Sequence, residues 1–323
     1  MYVSKVGIIG AGTMGHLITE LFAFNEIEVY MKDIKQEILD RGMKNIRRIL
    51  DDLVKYHQGR ADKEIEKIES YGVELTEDQK AKIREKFAPK VDKERAERIY
   101  NKIHPVLTYD HFADLDFVVE AATEIMPLKK QIFKELDEVT PKHVILASNT
   151  STLPITEIGS ATKKPDKVIG MHFFNPPHTL PLIEIIPALQ TSEDTVNEVM
   201  DFCHSLRNHR FPMAPIKVKE TPGFLVNRIL GPMLNEAFCC YEEGIASPRD
   251  IDLACKAGLG FPMGPLELAD MVGIDVIYNA TKSLREVYGQ IQPRQNTVIK
   301  RLYEAGYWGR KTGRGFYEYT SDE

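Results

Sequence analysis

The stretch from Lys5 to Asp33 restricts the fold more than any other. Lys5-Val6-Gly7-Ile8-Ile9 is an apolar run of strand length, Gly10-Ala11-Gly12-Thr13-Met14-Gly15 follows, and an amphipathic helical pattern continues through Ala23. Glu28–Asp33 then reads as a second strand ending in an acid. Asp33 falls about 18 residues after Gly15, close to the ~20 of a dinucleotide-binding strand–turn–helix–strand unit. Gly10 permits the tight turn, Gly12 lets a pyrophosphate approach the backbone, and Gly15 lets helix and strand pack closely. The helix start, from Thr13 and Met14 onward, turns its N–H groups toward that phosphate. Asp33 is placed to accept from both ribose hydroxyls and to repel a 2′-phosphate, which favours NAD over NADP; Lys32 and Lys35 soften that preference. A glycine turn without nucleotide competes with this reading, and the spacing to Asp33 argues against it.

Further apolar runs continue an α/β pattern. Asp116–Glu120, Val144–Ala147 and Val168–Met171 read as strands, with a helix containing Lys129, Ile132, Phe133 and Leu136 after the first of them. Between Asp33 and the resumption of the sheet, residues 34–105 are highly charged and read as a helical excursion. Ile38 to Val54 keep a helical period, Thr76-Glu77-Asp78-Gln79 is a capping box for a helix reaching Ala88 before Pro89, and Asp92 caps another that Pro105 stops. The charge there is mostly a solvated face; basic residues such as Lys55 are the candidates to meet a phosphorylated substrate.

The stretch Gly170-Met171-His172-Phe173-Phe174-Asn175-Pro176-Pro177 carries the chemistry. Two prolines end the strand, so His172 and Asn175 sit at its C-terminal end, where open α/β sheets bind ligands. Leu182-Ile183-Glu184-Ile185-Ile186 is a second β-like run, and a hairpin-like return brings Glu184 beside the imidazole. A carboxylate on one ring nitrogen fixes the tautomer and stabilises the imidazolium, although a structural His–Glu pair gives the same pattern. Ser148-Asn149-Thr150-Ser151-Thr152, at another strand end, supplies groups for turns, helix caps or a ligand oxygen.

After a helix at Thr195–Leu206 and a short strand at Pro215–Val218, Thr221-Pro222-Gly223 marks a boundary. The expectation is an N-terminal domain at 1–220 and an all-helical domain at 221–323, with a long helix capped by Thr221 and ending before Gly244. Asn227 lies within its first two turns. Leu225, Ile229, Met233, Ala237 and Tyr241 form a stripe that suits core or a subunit interface, so a homodimer is the default.

Composition excludes several classes. Forty-two basic against 48 acidic residues give a net charge of −6, so no general basic field attracts nucleic acid or an anionic membrane. No apolar run approaches the ~20 residues of a membrane span. The four cysteines lack zinc-site spacing and read as reduced thiols. A strand that begins within five residues of Met1 leaves no room for a signal or transit peptide. A cytoplasmic protein without metal is expected.

Val6–Gly15, Val118–Glu124, Ser148–Leu153, His172–Pro176 with Glu184, Thr221–Arg228, Phe261–Asp270 and Lys311–Tyr317 occur in the order found in one family. The chain resembles the NAD-dependent L-3-hydroxyacyl-CoA dehydrogenases, of the 3-hydroxybutyryl-CoA dehydrogenase type. The resemblance implies a Rossmann-type N-terminal domain with an all-α C-terminal domain, NAD as cofactor and an acyl-CoA substrate. It implies His172 as catalytic base, Glu184 as its partner, and Ser151, Asn175 and Asn227 around the reacting oxygen. Glu124 and Lys129 match positions near the nicotinamide. Two features depart from it. The excursion is longer than the family hairpin that helps hold coenzyme A. Asn175-Pro176-Pro177 with Leu180–Glu184 is similar to the lambda-crystallin and gulonate dehydrogenase branch, whose substrates lack coenzyme A. Thr150-Ser151-Thr152 and Phe261-Pro262-Met263-Gly264-Pro265 favour the acyl-CoA branch. A free hydroxy acid dehydrogenase, and a non-catalytic NAD-binding protein, are the alternatives.

Overall fold

The computed structural model describes residues 3–88, 90–288 and 296–319. They divide into two compact units, 1–220 and 221–323.

The first unit is a Rossmann-type α/β layer structure. In chain order it comprises β1 (Lys5–Ile9), α1 (Thr13–Phe24), β2 (Glu28–Lys32), α2 (Gln36–Gln58), α3 (Arg60–Glu69), α4 (Glu77–Lys86), α5 (Lys93–Asn101) and β3 (Ile103–Val106). Then follow β4 (Phe117–Glu120), α6 (Met126–Val139), β5 (Ile145–Ser148), α7 (Ile155–Gly159), β6 (Val168–Phe173), β7 (Leu182–Pro187), α8 (Glu193–Ser205) and β8 (Ala214–Lys217). The strands make one eight-stranded sheet, β3-β2-β1-β4-β5-β6-β7-β8. Neighbours run parallel except β6 and β7, which are antiparallel. The central strands β4 and β5 are buried on both faces, which is why residues 117–119 and 145–147 read as unbroken apolar runs rather than alternating ones.

The glycines of the first turn are forced. A Cβ on Gly15 would lie 1.7 Å from the Gly10 carbonyl oxygen, and Gly10 itself has φ +97° with a Cβ position 2.8 Å from the Ala121 carbonyl oxygen. Only glycine lets α1 start this close to β1, and the buried Ile18, Leu21 and Phe22 then pack α1 on the sheet.

The excursion is not a separate body at either end. Leu39, Ile46, Leu50 and Leu53 of α2 and Ile99 of α5 join the main core, whereas α4 buries nothing. Thr76 and Gln79 form the expected capping box, and Asp92 caps α5. Pro89, the expected stop of the helix after Thr76, lies outside the described residues. The expected end of the excursion at Pro105 is corrected: α5 stops at Asn101, and residues 103–106 pair with β2 as the sheet's edge strand. Pro105 lacks an N–H to give a further strand, and an edge position demands none.

The second unit is helical: α9 (Val226–Glu242), α10 (Pro248–Leu253), α11 (Pro265–Val272), α12 (Ile274–Tyr288) and α13 (Val298–Glu304). The expected helix start at Thr221 is also corrected. Gly223 (φ 76°) and Phe224 (φ 50°) take left-handed conformations that a helix cannot pass through, so α9 begins at Val226 and Asn227 falls in its first turn. Leu234, Phe238, Ile251, Leu266 and Ile274 form this unit's core. Asp270 anchors the tail by accepting from the Phe316 and Tyr317 N–H groups and the Tyr319 hydroxyl. The stripe expected on α9 is only partly core: Ala237 is buried, while Ile229 is 63% exposed. No described helix is long and apolar enough to cross a membrane.

Candidate active site

The antiparallel turn from β6 into β7 sets His172 and Glu184 directly opposite each other in register. Both are buried, and Nδ1 of His172 donates to Oε2 of Glu184 over 2.8 Å. A carboxylate only accepts, so the ring proton resides on Nδ1 and Nε2 is left as the acceptor. The Ser151 hydroxyl donates to that Nε2 over 3.1 Å. Three side chains, from the loop after β5 and from the neighbouring β6 and β7, thus form one line, Ser151–His172–Glu184.

Ser151 belongs to a short loop after β5 that is held from within. Asn149 Oδ1 accepts from the Phe173 N–H, tying the loop to β6. Oε1 of Glu124 accepts from the Thr150 hydroxyl and from the N–H groups of Ser151 (2.9 Å) and Thr152 (3.2 Å). Burial alone would push the Glu124 carboxyl up. The nearby Lys129 ammonium and these hydrogen bonds outweigh it and hold the carboxyl below its ordinary value. Lys129 is 1% exposed and bonds Glu120 (2.7 Å), the Ala122 carbonyl (3.2 Å) and Glu124 (3.3 Å). Glu120, which is wholly buried, also accepts from the Ala122 N–H and the Ser148 hydroxyl.

Sequence reading placed Glu120 only as a strand end. The signal that could have found it is Lys129, which occupies the apolar stripe of α6 with Ile132, Phe133 and Leu136, all buried. A lysine there needs a buried acid. Of the other expected residues, Asn175 lies exposed just beyond β6, and Lys55 is exposed on α2, 3.7 Å from Asp52. Asn227 belongs to the second unit.

The nucleotide turn fits a dinucleotide. No side chain caps the start of α1, and a Cβ on Gly12 would meet nothing within 4 Å, so the backbone there is open to a phosphate. Asp33 Oδ2 accepts from the Ala11 N–H at 2.8 Å, which fixes its carboxylate beside the turn with acceptor capacity to spare for ribose hydroxyls. The Lys32 ammonium lies over the Tyr109 ring, 4.2 Å from its centroid, while Lys35 is exposed. Among the described residues, no group of three or more His, Cys, Asp and Glu could hold a metal ion.

Residues 5–221 match the family model described as the 3-hydroxyacyl-CoA dehydrogenase NAD binding domain, and residues 223–319 match its C-terminal domain. The chain belongs to the 3-hydroxyacyl-CoA dehydrogenase family. It is 36% identical over 315 residues to a 3-hydroxybutyryl-CoA dehydrogenase of Clostridioides difficile, covering 98% of this chain and 99% of that one. It is likewise 36% identical to the human mitochondrial hydroxyacyl-coenzyme A dehydrogenase, over 98% of this chain and 91% of that one. The crystal structure of (S)-3-hydroxybutyryl-CoA dehydrogenase from Ralstonia eutropha superposes with a TM-score of 0.81 at 38% identity, covering 99% of this chain and all (100%) of that one. The chain is thus an oxidoreductase of an NAD-dependent family, and the glycine turn with Asp33 lies within the part that matches the NAD binding domain.

Proposed function

We propose that this dehydrogenase interconverts an L-3-hydroxyacyl-CoA and the 3-ketoacyl-CoA, with His172 as general base and Glu184 as the group that orients it. The observation that carries this reading is the Ser151–His172–Glu184 line at the C-terminal edge of the sheet whose first turn we assign to NAD. NAD, when bound, supplies the hydride acceptor. Oxidation of an alcohol requires a proton to leave oxygen as hydride leaves carbon. Nε2 of His172 takes that proton, and the buried Glu184 carboxylate stabilises the imidazolium. Ser151, Asn175 and Asn227 are assigned to hold the reacting oxygen, and Glu124 with Lys129 to the nicotinamide end of the cofactor. Lys55, on an exposed helix face, is assigned to a phosphate of coenzyme A. The partly exposed stripe on α9 supports a homodimer, with the second unit as its dimerisation and substrate domain, and free cysteines suit a cytoplasmic protein.

The test is NADH consumption with acetoacetyl-CoA, beside a free 3-keto acid and a 3-keto sugar acid. Turnover of the CoA ester alone supports the reading; turnover of a free acid alone overturns the substrate class. His172→Ala should remove most turnover and spare NADH binding, whereas equal loss of both would make the histidine structural.

A further inference from the structure

Glu120 lies outside the line just described, yet it is the most buried acid near it. It ends β4, is 0% exposed, and stands in register with Ser148 at the end of β5. Its two oxygens accept three bonds: Oε1 from the Ala122 N–H (2.6 Å) and Lys129 (2.7 Å), and Oε2 from the Ser148 hydroxyl (2.6 Å). The three hydrogens of the Lys129 ammonium are matched by Glu120, the Ala122 carbonyl and Glu124. Lys129 therefore serves as a fixed cation between two acids. On its far side Glu124 gathers the Thr150 hydroxyl and the N–H groups of Ser151 and Thr152.

We propose that Glu120 is a positioning residue: it pins Lys129, Lys129 pins Glu124, and Glu124 sets the loop that points the Ser151 hydroxyl at Nε2 of His172. Stability alone does not call for this arrangement. In this acid–base–acid triad the Glu120–Lys129 pair is buried while Glu124 is partly exposed. A buried ion pair costs desolvation, and well-packed apolar groups in its place commonly leave a fold as stable or more so. What a triad supplies that apolar packing lacks is direction, because each charge accepts only one placement of its neighbour. Loss of the Glu120 charge would leave Lys129 to Glu124 alone. The Glu124 carboxylate would turn toward the ammonium and away from the loop. Ser151 would then keep the Asn149–Phe173 tie and its own bond to His172 but lose the acceptor that fixes its N–H.

The kinetic consequence rests on the dehydrogenase reading, so the test includes a measurement that needs no turnover. Hydrogen exchange read by mass spectrometry follows the amides of residues 149–153 in the full-length protein, with and without NADH. Glu120→Gln keeps the size of the side chain and removes its charge. The expected result is exchange several-fold faster in that segment with β1 and β4 unchanged, and kcat for acetoacetyl-CoA lowered about tenfold, in keeping with one lost hydrogen bond to a charged group. Because the effect runs through Glu124, the Glu120→Gln/Glu124→Gln double variant should be no slower than the slower single variant. Unchanged exchange at 149–153, or kcat losses that multiply in the double variant, overturns the proposal. If Glu120→Gln does not fold, Glu120→Asp, which keeps the charge but falls one methylene short of Lys129, makes the same comparison. Faster loop exchange in a protein that turns over no CoA ester would uphold the coupling and refute the substrate assignment, so the two failures stay distinct.

Discussion

Replacing Glu184 by glutamine tests the proposed chemistry at its centre. The carboxylate is wholly buried and accepts from Nδ1 of His172 over 2.8 Å. When Nε2 takes the substrate proton, a positive ring forms against it. With charge centres about 4 Å apart and an effective dielectric constant near 20, their attraction is on the order of 4 kcal/mol. Glutamine keeps an acceptor oxygen, which returns about 1 kcal/mol as a neutral hydrogen bond. The net loss of about 3 kcal/mol corresponds to roughly two powers of ten in rate. A second effect has the same sign: an amide that turns its NH2 toward Nδ1 moves the ring proton to Nε2, the wrong nitrogen for a base. The assay is single-turnover NADH formation from L-3-hydroxybutyryl-CoA and NAD, the direction in which His172 takes the proton, so that product release does not hide the chemical step. NADH affinity, read by fluorescence, is the control. The expected outcome is a rate about 100-fold lower with affinity changed less than about twofold. A rate within about threefold of the parent would mean that no positive charge gathers on His172 in the slow step, and the acid–base reading would fall.

Three other outcomes follow from the same geometry. Gly15→Ala places a methyl 1.7 Å from the Gly10 carbonyl oxygen, so the turn must open; NADH affinity should collapse and unfolding free energy drop by about 3 kcal/mol, seen by fluorescence titration and denaturant melts. Burial holds His16, His57 and His178 below the ordinary value of 6.5. These rings stay neutral in the fold while the unfolded chain takes up protons first, so their contribution to stability is complete above pH 6.5 and is lost as pH falls through their folded values. Melting temperature should therefore decline from about pH 6.5 downward, and a triple His→Gln variant should flatten that limb; an unchanged slope would remove the histidines as its cause. Asp270→Ala strands the Phe316 and Tyr317 N–H groups and should cost about 3 kcal/mol, with cleavage near the tail in limited proteolysis; a tail that stays resistant would show that packing of Phe316 on Phe238 suffices.

What could be read from the sequence, and what could not, divides along one physical line. Local rules placed β1, α1 and β2, because glycine geometry and strand length are decided within a few residues of chain. They also placed Glu184 beside His172, since two apolar runs joined by a short proline turn have few ways to pair other than an antiparallel return. The misplaced boundaries depend on partners that local rules do not see. Residues 103–106 become a strand because β2 offers them an edge, and helical propensity in the preceding charged run gives no notice of it. The start of α9 is set by left-handed backbone at Gly223 and Phe224, of which only the glycine was foreseeable.

Glu120 shows why a charged residue can be the hardest to read. At a strand end an acid normally signals the surface, and Phe117–Glu120 offers nothing against that view. The contrary sign lies nine positions away on a different element, where Lys129 interrupts the buried face of α6. Neither residue is interpretable alone, because a buried charge is tolerable only when its counterpart is buried with it. The useful reading is of pairs: a lysine on an apolar stripe and an acid closing an apolar strand predict each other. In a parallel sheet both come to the C-terminal edge, where the strand ends carry the chemistry.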